Sequence, residues 1–251
     1  MTNISYMNCL VDINVDIGEG MPNEAELMPW VSSCNIACGG HAGDLMTLQN
    51  SIELAVAHGV RIGAHPSYPD RKRFGRSPMD ISIEELESAI SHQLMDFKIG
   101  LKSTGAALHH VKAHGALYHR LAQDPVVAYV YLRKVEEIMG HCIIYAPPRS
   151  VLYEMAKNEG FEVWAEGFLD RRYHRDLSLV SRGSSEAILS SPEEVLQQLL
   201  SMIRDQKVAN IEGDFTPISA RTFCIHGDHP MSVQILQHIV QAASKHEIVI
   251  Q

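Results

Sequence analysis

Five short apolar segments of this chain each end on a chemically competent polar residue just before a helix begins, and this pattern constrains the fold most. They run from Asp12 to Asp16, Val60 to His65, Leu108 to His114, Phe161 to Glu166 and Thr222 to His226. Along the first, Val11, Ile13 and Val15 share one parity, and Asp12, Asn14 and Asp16 share the other. The same alternation groups His110, Lys112 and His114, then Glu162, Trp164 and Glu166, and finally Thr222, Cys224 and His226. Successive side chains of a strand point to opposite faces. Each strand therefore has one apolar face, suited to packing under helices, and one polar face. The polar faces must converge, and the interior of a barrel is where they can.

Helix starts separate these strands. Asp44 precedes an amphipathic run that stops at Gly59, and Ser82 with Glu85 forms a capping-box pattern for a helix ending near Gly105. Asp124-Pro125 opens a helix closed by Gly140, another spans about Ser150 to Gly160, Ser191-Pro192 opens a fifth, and His229-Pro230 opens the last. Strands are expected at about 10–16, 33–38, 60–65, 108–114, 142–146, 161–166 and 222–226, with a weak hairpin signal near Val208 to Ile218. Strands alternating with helices predict a parallel α/β architecture in a single domain, residues 1–251. Two long loops, Pro66 to Asp80 and Leu169 to Ser190, leave strand carboxyl ends, where such barrels place their chemistry. The second carries Arg171, Arg172, Arg175 and Arg182.

A net charge of −9 speaks against nucleic-acid binding, which needs a basic surface. No apolar stretch is long enough to span a membrane, and Met1 to Cys9 lacks the features of a signal peptide, so a cytoplasmic location is expected. Cys9, Cys34, Cys38, Cys142 and Cys224 cannot form a closed disulfide set and read as small buried hydrophobes. Cys34, Cys38 and His41 match no strong zinc spacing.

The residues most suited to chemistry lie at strand ends. Asp16 and Glu19 stand in Asp-Ile-Gly-Glu-Gly, and either suits an acid, base or metal-ligand role. His41 lies in a small-residue loop, Asn35 to Asp44, that lets backbone approach a ligand and leads into a helix N-terminus. His65 and His114 end strands with inward parity. Lys112 is costly to bury without a partner, for which Asp16 or Glu166 is expected. His226 closes the last strand, and Asp228 beside it is a candidate cap for the final helix. No Gly-x-Ser-x-Gly elbow occurs, which argues against covalent serine chemistry.

Several of these stretches together resemble the LamB/YcsF family. They are Asp12 to Glu19, Ser33 to Asp44, Gly63 to Pro66, Phe74-Gly75-Arg76, His109 to Lys112, His114 to Tyr118, Asp170 to Tyr173 and His226-Gly227-Asp228. The match runs in register from about Leu10 to Ala243. The resemblance implies a distorted seven-stranded β/α barrel of the glycoside hydrolase/deacetylase type. It also implies work within an ATP-dependent 5-oxoprolinase, opening the lactam of 5-oxo-L-proline to L-glutamate with two partner subunits of the PxpB and PxpC type. The chain has no Gly-x-x-x-x-Gly-Lys-Ser/Thr loop, which leaves room for ATP to sit on one of those partners. On this reading Asp16, His65, Lys112 and His114 are catalytic: Asp16 or His65 as base, Lys112 and His114 toward an oxyanion or the substrate carboxylate. Asn14, Glu19, Asn35, His41, Glu166 and His226 are expected to bind substrate. Gly40, Ser67 and Ala113 stand where the family usually has an aromatic residue, glycine and proline, and Gly40 is expected to widen the pocket mouth. Two alternatives stay open. One is a metal-dependent hydrolase holding a divalent ion on Asp16, His65, His114 and His226. The other is a non-catalytic protein that binds substrate for its partners.

Overall fold

The computed structural model describes residues 9–251; apart from Cys9, the N-terminal reading concerns residues outside these. In chain order the elements are β1 (Cys9–Ile17), α1 (Glu24–Leu27), β2 (Ser33–Ala37), α2 (Leu45–His58), β3 (Arg61–His65) and α3 (Ile83–Thr104). Then follow β4 (Leu108–Lys112), α4 (Gly115–Leu121), α5 (Pro125–Met139), β5 (Ile143–Ala146), α6 (Val151–Asn158) and β6 (Glu162–Phe168). The chain ends with α7 (Pro192–Arg204), β7 (Lys207–Ala209), β8 (Phe215–Pro217), β9 (Thr222–Ile225), α8 (Ser232–Ala243) and β10 (Ile248–Ile250).

Strands β1, β2, β3, β4, β5, β6 and β9 pair in parallel in that order, and β9 returns to β1, closing a seven-stranded barrel. The closing register pairs Asp12 with Thr222 and Asn14 with Cys224. All seven expected strands are present, and β7 and β8 form the anticipated antiparallel hairpin. Among the described residues no helix is long and apolar enough to cross a membrane.

The caps behave as their chemistry requires. Asp44 accepts from the Thr47 amide, Ser82 and Glu85 form a reciprocal capping box, and Asp124 accepts from the Val126 and Val127 amides. Three short elements have no counterpart in the sequence pattern. The first is α1 with its following 3₁₀ turn, the second is β10, which extends the sheet beside the start of β1, and the third is α4. Strand β4 stops at Lys112, two residues short of the expected end, and helix α4 follows at once because the chain turns at Gly115, whose φ is +54°. A Cβ there would stand 2.6 Å from the Gly75 carbonyl oxygen, so only glycine lets the two loops meet.

Alternation places apolar residues such as Val11, Ile13, Val15, Ile36, Val111 and Ile144 under the helices, fully buried. The barrel interior is polar and tightly bonded. Asp12 accepts from Ser33 Oγ, Tyr145 OH and Thr222 Oγ1. Above it, Asn14 donates to Thr222 and Glu166, and Asn35 donates to Asn14 and Asp16. The His110 ring fills the space beside Gly63, where a Cβ would lie 2.1 Å from its Nε2. Gly40 does not widen the pocket mouth. It is buried against the Ser67–Gln93 pair, where a Cβ would stand 2.4 Å from Gln93 Oε1 and 2.5 Å from Ser67 Oγ. Of the cysteines, Cys34, Cys38 and Cys224 are buried as expected, whereas Cys9 is exposed and Cys142 lies between.

Candidate active site

At the carboxyl ends of the barrel strands lies a cavity of about 490 Å³ lined by Asp16, His65, Arg76, Lys112, His114, Tyr118, Phe168, Arg171, Arg182 and His226, among others. Its floor is built around Lys112, which is 2% exposed. The ammonium lies 3.1 Å from Asp16 Oδ1 and 2.9 Å from Glu166 Oε1, so both expected partners engage it. Asn14 Oδ1 at 3.3 Å and Cys224 Sγ at 3.2 Å complete its surroundings, leaving its three protons fully occupied. Burial pushes the lysine down, but Asp16, Cys224 and Glu166 together outweigh this and hold it well above its ordinary value. For Asp16, burial pushes the carboxyl up. Lys112 and His65 overcome that and hold it well below the usual carboxylate range.

Two histidines meet beside Asp16. His65 Nδ1 donates to the Lys112 carbonyl oxygen at 2.9 Å, and His114 Nε2 donates to the Phe74 carbonyl oxygen at 2.9 Å. A carbonyl only accepts, so both tautomers are fixed. The remaining nitrogens, His65 Nε2 and His114 Nδ1, face each other at 3.0 Å. Two lone pairs cannot satisfy each other; the pair is built to take up one proton or a cation. Asp16 Oδ1 lies 3.5 Å from His65 Nε2, and Glu19 Oε1 lies 3.4 Å from His114 Nδ1.

His41 stacks flat on His114 with ring centroids 3.6 Å apart and reaches Glu19 at 2.9 Å. It is thus placed behind the cavity wall. Asn14 and Asn35 lie beneath the floor, each fully buried, where they orient Asp16 and Glu166. His226 lines the cavity, its Nδ1 bonded to Asp170 at 2.9 Å and its ring stacked on Phe168. Asp228 does not cap the last helix, whose N-cap is Met231. Instead it joins the two long loops, 2.5 Å from Arg76 and 3.5 Å from Arg182. These arginines form a cationic rim that strand-end reasoning missed, although the arginine-rich loops were its visible signal. Tyr118 was also missed, since it belongs to the unanticipated helix α4. The residues that gather as possible metal ligands are Asp16, Glu19, His65 and His114, with donor atoms within 4.8 Å of one another. His226 groups separately with Asp16 and Cys224, so the ligand set expected from sequence is corrected at that position. Among the described residues, Cys34, Cys38 and His41 form no such cluster.

A model of the LamB/YcsF family matches residues 11–251. The chain belongs to that family. Other proteins similar to this LamB/YcsF chain are named as the A subunit of 5-oxoprolinase. One from Tolumonas auensis is 42% identical over 87% of this chain and 89% of its own length. Another from Geobacillus kaustophilus is 36% identical over 96% of both. A crystal structure of the lactam utilization protein from Thermus thermophilus superposes with a TM-score of 0.88 at 33% identity, covering 96% of this chain and 98% of that one.

The buried imidazoles predict acid lability. Burial holds His110 and His114 well below their ordinary values and pushes His41 down to about 2. With folded values below the unfolded one, their stability contribution is complete above about pH 6.5 and is lost as pH falls further. At pH 5 the loss is about 2 kcal/mol for each imidazole that stays neutral. Glu19 offsets part of it, because burial and then Asp16 hold its carboxyl well above the usual range. Urea unfolding is expected to show a lower midpoint at pH 5 than at pH 7. An equal or higher midpoint at pH 5 would contradict neutral burial.

Proposed function

We propose that this chain is the A subunit of an ATP-dependent 5-oxoprolinase and that its cavity opens the lactam of 5-oxo-L-proline to L-glutamate. The observation that carries the reading is the His65–His114 pair set against Asp16 and Lys112 beneath an arginine rim. It puts a proton acceptor, its orienting carboxylate and an anion-binding edge within one small cavity. The names of its relatives, similar over nearly the whole chain, support the same substrate.

In this scheme Arg76 and Arg182 hold the substrate carboxylate. A water attacks the ring carbonyl carbon, its proton passing to the lone-pair site between His65 Nε2 and His114 Nδ1. Asp16, ionised at neutral pH, stabilises the imidazolium that forms. The C–N bond then breaks, and the nitrogen takes up that proton. Lys112 has no proton to spare for an oxyanion, and His114 presents a lone pair, so we assign Lys112 to holding Asp16 and Glu166. Asn14, Asn35, Glu19 and His41 position these groups, and His226 forms part of the wall. ATP, placed on one of two partner subunits in the cytoplasm, first phosphorylates the lactam oxygen and leaves as ADP; once the C–N bond has broken, a second water cleaves the resulting acyl phosphate into glutamate and phosphate.

The test is glutamate release from 5-oxoproline by the purified chain, with and without its two partner subunits and ATP. Release that needs the full set is expected; a folded, complete set without activity would sink the reading.

One observation favours a second reading. Asp16, Glu19, His65 and His114 offer four donor atoms with both imidazole tautomers fixed by backbone carbonyls, a set that fits a divalent ion. An ion there would supply an activated water at neutral pH. Metal bound after purification, and hydrolysis that is independent of ATP and abolished by a chelator, would favour it.

A further inference from the structure

Arg171 lies just beyond the carboxyl end of β6 and lines the main cavity, although it is only 4% exposed. Its Nε donates to the Ala187 carbonyl oxygen at 3.3 Å, and its Nη2 to that of Val180 at 2.5 Å. Both bonds tie the side chain to its own loop. Nη1 makes no hydrogen bond among the described residues and is not enclosed. The nearby carboxylates are already engaged: Asp228 pairs with Arg76 and Arg182, and Asp170 gives both oxygens to His226. Burial first, and then the charge of Arg182, push Arg171 down to about 10, and Asp170 offsets this only in part. A buried guanidinium beside a second one is costly until an anion reaches it. That anion cannot sit on the floor. Lys112 stands there between Asp16 and Glu166, which leaves the floor with an excess of negative charge.

We propose that Arg171 holds the phosphoryl group of a lactam already phosphorylated on its ring oxygen, so that this chain receives the activated ring and opens it. The inference rests on the lactam reading above and divides its steps. Phosphoryl transfer from ATP belongs to a partner subunit; water addition and ring opening belong to this cavity. 5-Oxoproline carries a single anionic group, the carboxylate, which Arg76 and Arg182 hold. The phosphorylated ring carries a second, and Arg171 is the lining guanidinium that the carboxylate leaves unused. Phosphoryl oxygens suit its planar fork of N–H donors. The bond from phosphorus to the former lactam oxygen persists while water adds to the ring carbon and the C–N bond breaks. It is lost when the second water releases phosphate from the acyl phosphate. Held at the rim, both anionic groups stay away from Asp16 and Glu166.

The experiment compares wild type with Arg171→Met and Arg171→Lys, as the full chain and assembled with its partner subunits. Calorimetry with inorganic phosphate as the probe is expected to show binding to the wild-type chain and ~10-fold weaker binding to Arg171→Met. Affinity for 5-oxoproline, which lacks the phosphoryl group, should change by less than ~3-fold. In the complex, glutamate formed per ADP released should fall at least ~10-fold in Arg171→Met. A phosphorylated ring that is not retained reacts with water to give back lactam and phosphate, so ATP is spent without ring opening. A purely structural loss would instead lower ADP and glutamate together. Arg171→Lys keeps the charge without the fork and should fall between the two; it carries the test if Arg171→Met does not fold. Three results overturn the proposal while wild-type glutamate release keeps the lactam reading intact. They are no phosphate binding by wild type, an unchanged glutamate-to-ADP ratio in the folded variants, and ADP formation from ATP by the chain without its partners. If the complete wild-type set releases no glutamate, both readings fall together.

Discussion

Lys112→Met is expected to cost the protein both its activity and a large part of its stability. The ammonium is the one cation between the Asp16 and Glu166 carboxylates, both nearly fully buried. Removing one partner of a buried ion pair leaves uncompensated charge and costs ~3–5 kcal/mol. Here two carboxylates are stranded, so the folded protein must take up a proton to relieve them. Native domains are stable by only ~5–15 kcal/mol, which makes this loss plain in a urea titration. Glutamate release should fall by about 1,000-fold or more, since Asp16 would no longer be held ionised against the histidine pair. A double variant, Lys112→Met with Glu166→Gln, should recover part of the stability and none of the activity. Wild-type stability in Lys112→Met would show that the buried triad is not the keystone described here.

Asp16→Asn should separate the two effects. Asparagine keeps an oxygen to accept from Lys112 and Asn35, and Lys112 keeps Glu166, so the fold should survive with a loss well below that of Lys112→Met. What disappears is the negative charge 3.5 Å from His65 Nε2. Without it the imidazolium formed during water attack is unsupported, and turnover should fall by about 1,000-fold. The wild-type pH profile carries a related expectation. Burial pushes the Asp16 carboxyl up, but Lys112 and His65 hold it well below the usual range, so Asp16 stays ionised and adds no acid limb to activity in the ordinary carboxylate range. An acid limb that disappears in Asp16→Asn would return the base role to Asp16.

Much of the fold was legible because a strand has a period of two. Asp12, Asn14 and Asp16 had to share a face, and so did His110 and Lys112, whichever residues lay opposite. Caps such as Ser82 with Glu85 marked helix starts through bonds made within three residues. The elements that escaped are short or depend on distant contacts. Helix α4 starts at a glycine that is required by a φ of +54° and by the Gly75 carbonyl oxygen, 2.6 Å from where a Cβ would be. Strand β10 exists only as a neighbour of β1.

The sequence by itself therefore determined the polar interior, the ring of strand-end acids, histidines and lysine, and the family to which they belong. Local periodicity and local capping carry that information. Tertiary structure alone decided the rest. It brought Lys112 between Asp16 and Glu166 and turned two histidine lone pairs toward each other. It set Asp228 between the arginines of separate loops. Each of these depends on barrel closure and on the register between strands far apart in the chain, which no alternation within a single strand encodes.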